Sequence, residues 1–259
     1  MAKIIALVNQ KGGVGKTTTA INVASFLAYF GKKVLLVDID LQANATSGLG
    51  INHKQITYNI YHSLIGEESL PAIILGEKED RLHLIPSASS LAGAQVELMD
   101  SFQREFILRK ALNSISDRYD YILIDCPPSL GILTINGLVA ADEVLIPVQA
   151  EYYALEGLGQ LLETIQLIKN HLKTNLLILG AVITMYDKRT VLSKGVLEDL
   201  YKYFPNKIMK SVIPRNVRLA EAPSYGQPIL NYDPQSAGAK AYERLAREIL
   251  NLYGETDTL

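Results

Sequence analysis

Between Lys11 and Thr18 the sequence reads KGGVGKTT, eight residues whose types suit one task, holding phosphate. Gly12, Gly13 and Gly15 let backbone N–H groups converge on phosphate oxygens, with Val14 and Thr18 completing the cradle. Lys16 can reach the β and γ phosphates of a nucleotide, and the Thr17 hydroxyl is a hard oxygen ligand of the kind Mg²⁺ takes. Gly15, Lys16 and Thr17 fit the end of the usual spacing G-x-x-x-x-G-K-[ST], but its first glycine is Gln10 here, and a second lysine, Lys11, stands beside it. Carboxylates supply the rest. Asp38 and Asp40 in VDIDLQAN and Asp125 in YILID all follow apolar runs. Asp125 has the Walker-B position that holds Mg²⁺, and hydrolysis of a triphosphate requires one of the three acids to polarise water.

The elements that must position these groups are legible in the hydrophobic pattern. Short continuous apolar runs at 4–8, 34–38, 82–86, 121–125, 143–148 and 176–184 suit strands buried on both faces. Helical spacing separates them, in 17–31 with Gly31 placed as a stop, in 155–170 and in 237–252. Residues 51–80 are less regular and read as a helical excursion. The alternation predicts an α/β fold, a single doubly wound, mostly parallel sheet with helices on both faces, spanning 1–259 as one P-loop domain. Each acid then lies at a strand end, on the edge where such sheets bind ligands.

Composition narrows the function. The one cysteine, Cys126, rules out an intrachain disulfide or a cysteine-built cluster and reads as a small buried residue. The four histidines (53, 62, 83, 171) have no metal spacing, and no apolar stretch reaches membrane length, so the chain is expected to be cytoplasmic. The net charge is −2, yet 186–218 alone holds eight basic residues (Lys188, Arg189, Lys194, Lys202, Lys207, Lys210, Arg215, Arg218) against three acids. No helix-turn-helix pattern precedes the phosphate loop, which argues against sequence-specific repression. The run LILGAVITMYDKR lacks the lysine of the N-K-x-D element that selects guanine.

KGGVGKTT, VDIDLQANATSGLG, DCPPSLG, EYYALEG and IPRNVRLAEAPS together resemble, over essentially the whole chain, the ParA/MinD class of deviant Walker-A ATPases, and within it the Soj-type chromosome-partitioning branch. The resemblance implies ATP and Mg²⁺, and a homodimer that sandwiches two ATP molecules. Lys11 of each subunit then crosses to the phosphates of the other's nucleotide, Asp40 orients the water, and Asp38 and Asp125 support the metal. Pro214, Arg215 and Asn216 would line the adenine. Arg189, its neighbour Lys188, and Arg218 would carry sequence-independent binding of double-stranded DNA, and a ParB-type centromere-binding protein would stimulate hydrolysis and release. Localisation would be cytoplasmic and nucleoid-associated. Leu41 replaces the family's proline after Asp40, which predicts a looser turn there. The rivals on this fold are a MinD-like membrane-positioning ATPase, a metal- or cluster-insertion ATPase and a small-molecule kinase or ligase. Against the first, the last helix mixes Glu243 and Glu248 with Arg244 and Arg247, a pattern better explained by core packing. Tyr152 and Tyr153 are expected to pack rather than react.

Overall fold

The computed structural model describes residues 1–76, 79–151, 156–173, 175–187, 189, 200–202, 204 and 207–256. Seven strands, β1 (Lys3–Leu7), β2 (Val34–Asp38), β3 (Leu82–Ile85), β4 (Tyr121–Asp125), β5 (Glu143–Gln149), β6 (Leu177–Tyr186) and β7 (Ile208–Pro214), form one sheet in the order β3-β2-β4-β1-β5-β6-β7. Every neighbouring pair is parallel. The order turns at β1, with β2 and β3 to one side and β5 to β7 to the other, which opens a ligand crevice at the strand C-termini.

The strands are apolar throughout because both faces are covered. Ile4, Ala6 and Val8 point into one core with Leu35, Val37 and Ile124, while Ile5 and Leu7 point into the other with Leu36 and Leu123. At about 1.5–3 kcal/mol for each fully buried aliphatic side chain, these two cores fix where every strand ends. The chemistry at those ends is positioned by burial that takes no part in it.

All six expected strands are present. β7 had no continuous apolar run to reveal it, because it is an edge strand whose burial alternates: Met209, Ser211 and Ile213 face in while Lys210 is exposed. It lies inside the basic segment. The helix Lys16–Tyr29 stops as expected, with Gly31 at φ 88° and its N–H donating to the Ala28 carbonyl. Region 51–80 supplies two short helices, Ile60–Leu64 and Leu70–Ile73.

The last helix, Ala237–Leu252, buries Ala241, Leu245 and Ile249 against the first helix and β7, as core packing required, whereas Leu252 at its end is exposed. Thr19 and Tyr242 join the two helices through a buried hydroxyl pair at 3.1 Å. Among the described residues no helix is long and apolar enough to cross a membrane. Lys188, Lys194, Tyr152 and Tyr153 lie outside the described residues.

Candidate nucleotide site and its charged rim

The loop after β1 is pinned at both flanks before any ligand is considered. Asn9 Nδ2 donates to the Pro147 carbonyl on β5 at 2.8 Å, and Asn9 Oδ1 accepts from the Lys11 N–H at 3.0 Å. At the other flank, Thr184 Oγ1 on β6 donates to the Val14 carbonyl at 2.7 Å. Gly13 and Gly15 adopt φ of 75° and 87°, the left-handed region that disfavours any side chain. A Cβ at Gly12 or Gly13 would meet nothing within 4 Å, so the inner side of the loop is backbone facing open space.

The helix that begins at Lys16 has no side-chain cap and no acid in its first turn. Its first N–H groups are therefore left for an anion, and the helix dipole adds to their pull. Lys16 is buried and donates to the Lys11 carbonyl at 3.2 Å. Burial lowers its pKa, while Asp125 and then Asp40 raise it in opposition. Lys16 is thus the cation that the neighbouring acids share.

The three acids come together but are held differently. Asp38 and Asp125 are register partners on β2 and β4, and both are completely buried. Asp38 Oδ1 accepts from the Asp40 N–H at 3.1 Å, and its Oδ2 accepts from the Thr46 N–H at 2.9 Å and Thr46 Oγ1 at 2.7 Å. Thr46 Oγ1 accepts in turn from the Ser87 N–H at 2.9 Å, and Ser87 Oγ donates to the Asp40 carbonyl at 2.7 Å. Asp38 therefore organises the turn that carries Asp40. With both oxygens already serving protein donors, Asp38 could support a metal only through the turn it holds.

Asp125 is the opposite case, with neither oxygen finding a hydrogen-bond partner of good geometry. Burial pushes its pKa well up, the nearby Asp38 charge pushes it further, and the adjacent Thr17 hydroxyl pulls back. Asp38 is raised to about 6, chiefly by burial, with the Thr46 hydrogen bonds pulling back. Two orphaned carboxylate oxygens beside Lys16 and Thr17 suit a hydrated Mg²⁺, which takes one or two protein oxygens and fills its octahedron with water and phosphate. Among the described residues, no three His, Cys, Asp or Glu side chains are grouped so as to hold a metal ion.

The turn after Asp40 is not loose. Asp40 Oδ1 accepts from the Gln42 N–H at 3.0 Å, the Asp40 carbonyl accepts from the Ala43 N–H, and Leu41 packs on the core. Apolar contact and an Asx turn supply the stiffness that a proline would have given. Thr46 and Ser87 were invisible as site residues in the sequence, because their partners lie eight and 47 positions away. Cys126 is buried, and burial raises its thiol pKa, so it is no nucleophile.

On the far side of the crevice Pro214 ends β7, and Arg215 N–H donates to the Tyr186 carbonyl at 3.1 Å. Pro214, Arg215 and Asn216 line a cavity of about 430 Å³ together with Gly15, Thr18 and Met185, next to the phosphate loop. Asn216 caps the helix Val217–Glu221 through its Oδ1, which accepts from the Arg218 N–H, so its amide NH₂ is what it can offer a ligand.

Beyond this lies an open groove of about 1110 Å³ where Arg189, Lys210, Arg215, Lys240 and Arg244 meet. Arg218 is not among its lining residues. Arg189 pairs with Asp187 at 2.7 Å, and Arg218 pairs with Glu221 at 2.9 Å and Asp233 at 3.5 Å. Of the two arginines expected to contact DNA, Arg189 lines the groove and Arg218 does not, while Lys240 and Arg244 on the last helix join it only through the fold.

The chain is similar to known proteins over nearly its whole length. A family described as an AAA domain matches residues 2–178. The chain is 55% identical to the sporulation initiation inhibitor protein Soj of Bacillus subtilis, covering 96% of this chain and 98% of that one. It is 51% identical to the chromosome-partitioning ATPase Soj of Treponema pallidum, covering 98% and 100%. Among solved structures it resembles cobyrinic acid a,c-diamide synthase of Mycobacterium smegmatis with bound ADP and magnesium, at 35% identity and a TM-score of 0.87, covering 98% and 96%.

Proposed function

Because the chain belongs to the Soj/ParA family of chromosome-partitioning ATPases, we propose that it acts as a switch: ATP closes two copies into a dimer that holds double-stranded DNA without sequence preference, and hydrolysis, stimulated by a ParB-type centromere-binding protein, releases it. The chain works as one domain, cytoplasmic and associated with the nucleoid. The observation that carries this reading is the pair of lysines on one loop. Lys16 is buried at the helix N-terminus, while Lys11 sits at the rim with a third of its side chain exposed. A loop that already has its phosphate lysine does not need a second one on the same face. A rim lysine serves a nucleotide held by another copy.

Within one chain, the uncapped N–H groups of the first helix and Lys16 hold the β and γ phosphates of ATP. Thr17 and Asp125 provide the oxygen donors for Mg²⁺, with Asp38 holding the adjoining turn. Mg²⁺, when bound, neutralises phosphate charge and orients the phosphate oxygens. Asp40, fixed through its backbone by Ser87 and Asp38, orients the water. The cavity flanked by Pro214, Arg215 and Asn216 takes the adenine.

Lys11 brought in from a second copy adds positive charge where the transition state gathers negative charge, so hydrolysis waits for pairing. The Arg189 groove, with Lys188 next to Arg189 and Arg218 three positions past Arg215 in sequence, contacts DNA phosphates. Such contacts carry no sequence information.

Two variants test the scheme. Lys11→Ala retains ATP as a monomer and sediments as a monomer in ATP; an intact ATP dimer in that variant overturns the crossing lysine. Asp40→Ala forms an ATP dimer that stays on DNA because it does not turn over. Normal turnover in it removes Asp40 from the water's path.

A further inference from the structure

Glu151 follows β5 at the mouth of the crevice, opposite Lys11. Its Oε2 accepts from Lys11 Nζ at 3.2 Å. Its Oε1 accepts from Gln149 Nε2 at 2.6 Å and lies 3.8 Å from an Arg215 guanidinium nitrogen. The backbone fixes this carboxylate, since the Glu151 N–H donates to the Gln149 carbonyl and the Ala150 N–H to the Thr184 carbonyl. The lysine end is fixed as well, by Asn9 on the Lys11 N–H. One side chain therefore links the phosphate loop after β1, the end of β5 and the adenine-side loop after β7.

We propose that Glu151 is a positioning residue for the ATPase: it holds Lys11 within its own chain, and ATP-dependent pairing has to draw Lys11 away from it. The proposal rests on Lys11 being the lysine that crosses to a second copy. Exposure decides what kind of hold this is. Both side chains are partly exposed, 34% for Lys11 and 43% for Glu151. A buried pair would be a fixed structural element, whereas an exposed one is weak and screened by salt. Gln149 adds what an isolated rim pair lacks, a neutral donor that orients the carboxylate without competing for its charge. Because Arg215 shares that carboxylate, filling the adenine side and freeing Lys11 are coupled events.

The test uses the full-length protein and the variants Glu151→Gln, Glu151→Asp and Lys11→Ala. Labelling of Lys11 by an amine-reactive reagent, followed by mass spectrometry of the protein alone, reads the hold directly. Sedimentation across protein concentrations with ATP reads the pairing.

Glu151→Gln is expected to label faster at Lys11 and to form the ATP dimer at a protein concentration about two- to five-fold lower than the parent, a range set by the strength of exposed ion pairs. Raising salt from about 50 to about 500 mM closes that gap. Glu151→Asp, which keeps the charge one methylene shorter, falls between the two. Unchanged labelling, or a dimer midpoint that stays put or rises in Glu151→Gln, overturns the proposal. If Lys11→Ala dimerises normally while Glu151→Gln labels faster, the crossing lysine fails and the proposed role of Glu151 in pairing falls with it, although the ion pair itself stands.

Discussion

The buried wall of the crevice and the open wall of the groove beyond it hold charge in opposite ways. On the β1, β2 and β4 side, Lys16, Asp38, Asp40 and Asp125 are nearly or completely buried. On the β6 and β7 side, Arg189, Lys210, Arg215, Lys240 and Arg244 surround an open groove. Buried charges act at low effective dielectric, so their fields are strong and each one costs folding free energy. Exposed charges cost little, are screened by salt, and suit a long polyanion met at many points. On the proposed reading, the buried charges serve hydrolysis and the exposed ones serve DNA.

Replacing Asp125 strikes the buried wall hardest. Asp125→Asn should lower ATP hydrolysis by about 10²–10³-fold, the range for losing one preorganised charge group at a reacting centre. The same change should stabilise the fold, because an orphaned buried carboxylate is gone. Thermal unfolding in buffer without nucleotide should rise by about 2–4 °C for each kcal/mol recovered.

The sign with pH follows from the raised pKa. The ionised acid destabilises the fold above its folded pKa, and that cost is relieved as pH falls through it. The parent should therefore approach the stability of Asp125→Asn on acidification. A gap that widens toward acid would contradict the assignment.

Thr46→Val tests the middle of the same wall. It removes a donor from Asp38 and an acceptor from Ser87, at a cost of about 1–3 kcal/mol by chemical denaturation. Turnover should fall more than ATP affinity does, because the turn carrying Asp40 is what loosens. An equal loss of both would mean that Thr46 serves the fold alone.

The smallest effects belong to the exposed wall. Removing Arg189 or Lys240 should leave hydrolysis without DNA unchanged and weaken DNA binding equally for all sequences. The slope of log affinity against log salt should become shallower by about 0.9 for each phosphate no longer neutralised. If Lys240→Ala leaves the slope unchanged, DNA does not occupy the groove beside the last helix.

Much of the buried wall was legible without a structure, because its pieces are local. A strand running into GGVGKTT carries its own turn and helix start, and an acid at the end of an apolar run marks a strand C-terminus. β7 was missed because an edge strand alternates and borrows its burial from one side only. The distinct roles of Asp38 and Asp125 were also hidden. Both read as strand-end acids, and only Thr46 and Ser87, brought in from elsewhere in the chain, separate an acid that builds from an acid that is free.

The sequence by itself determined the chemistry available to this protein: a phosphate loop with two lysines, strand-end acids, one inert cysteine and a basic run on an otherwise acidic chain. Those features depend on residue type and short spacing, which backbone geometry converts directly into shape. The tertiary structure decided which charges are buried, which oxygens are already bonded, and that Glu151 faces Lys11 from 140 positions away. Burial and partnership depend on which strands lie side by side, and that order is set by packing two apolar cores rather than by any residue of the site.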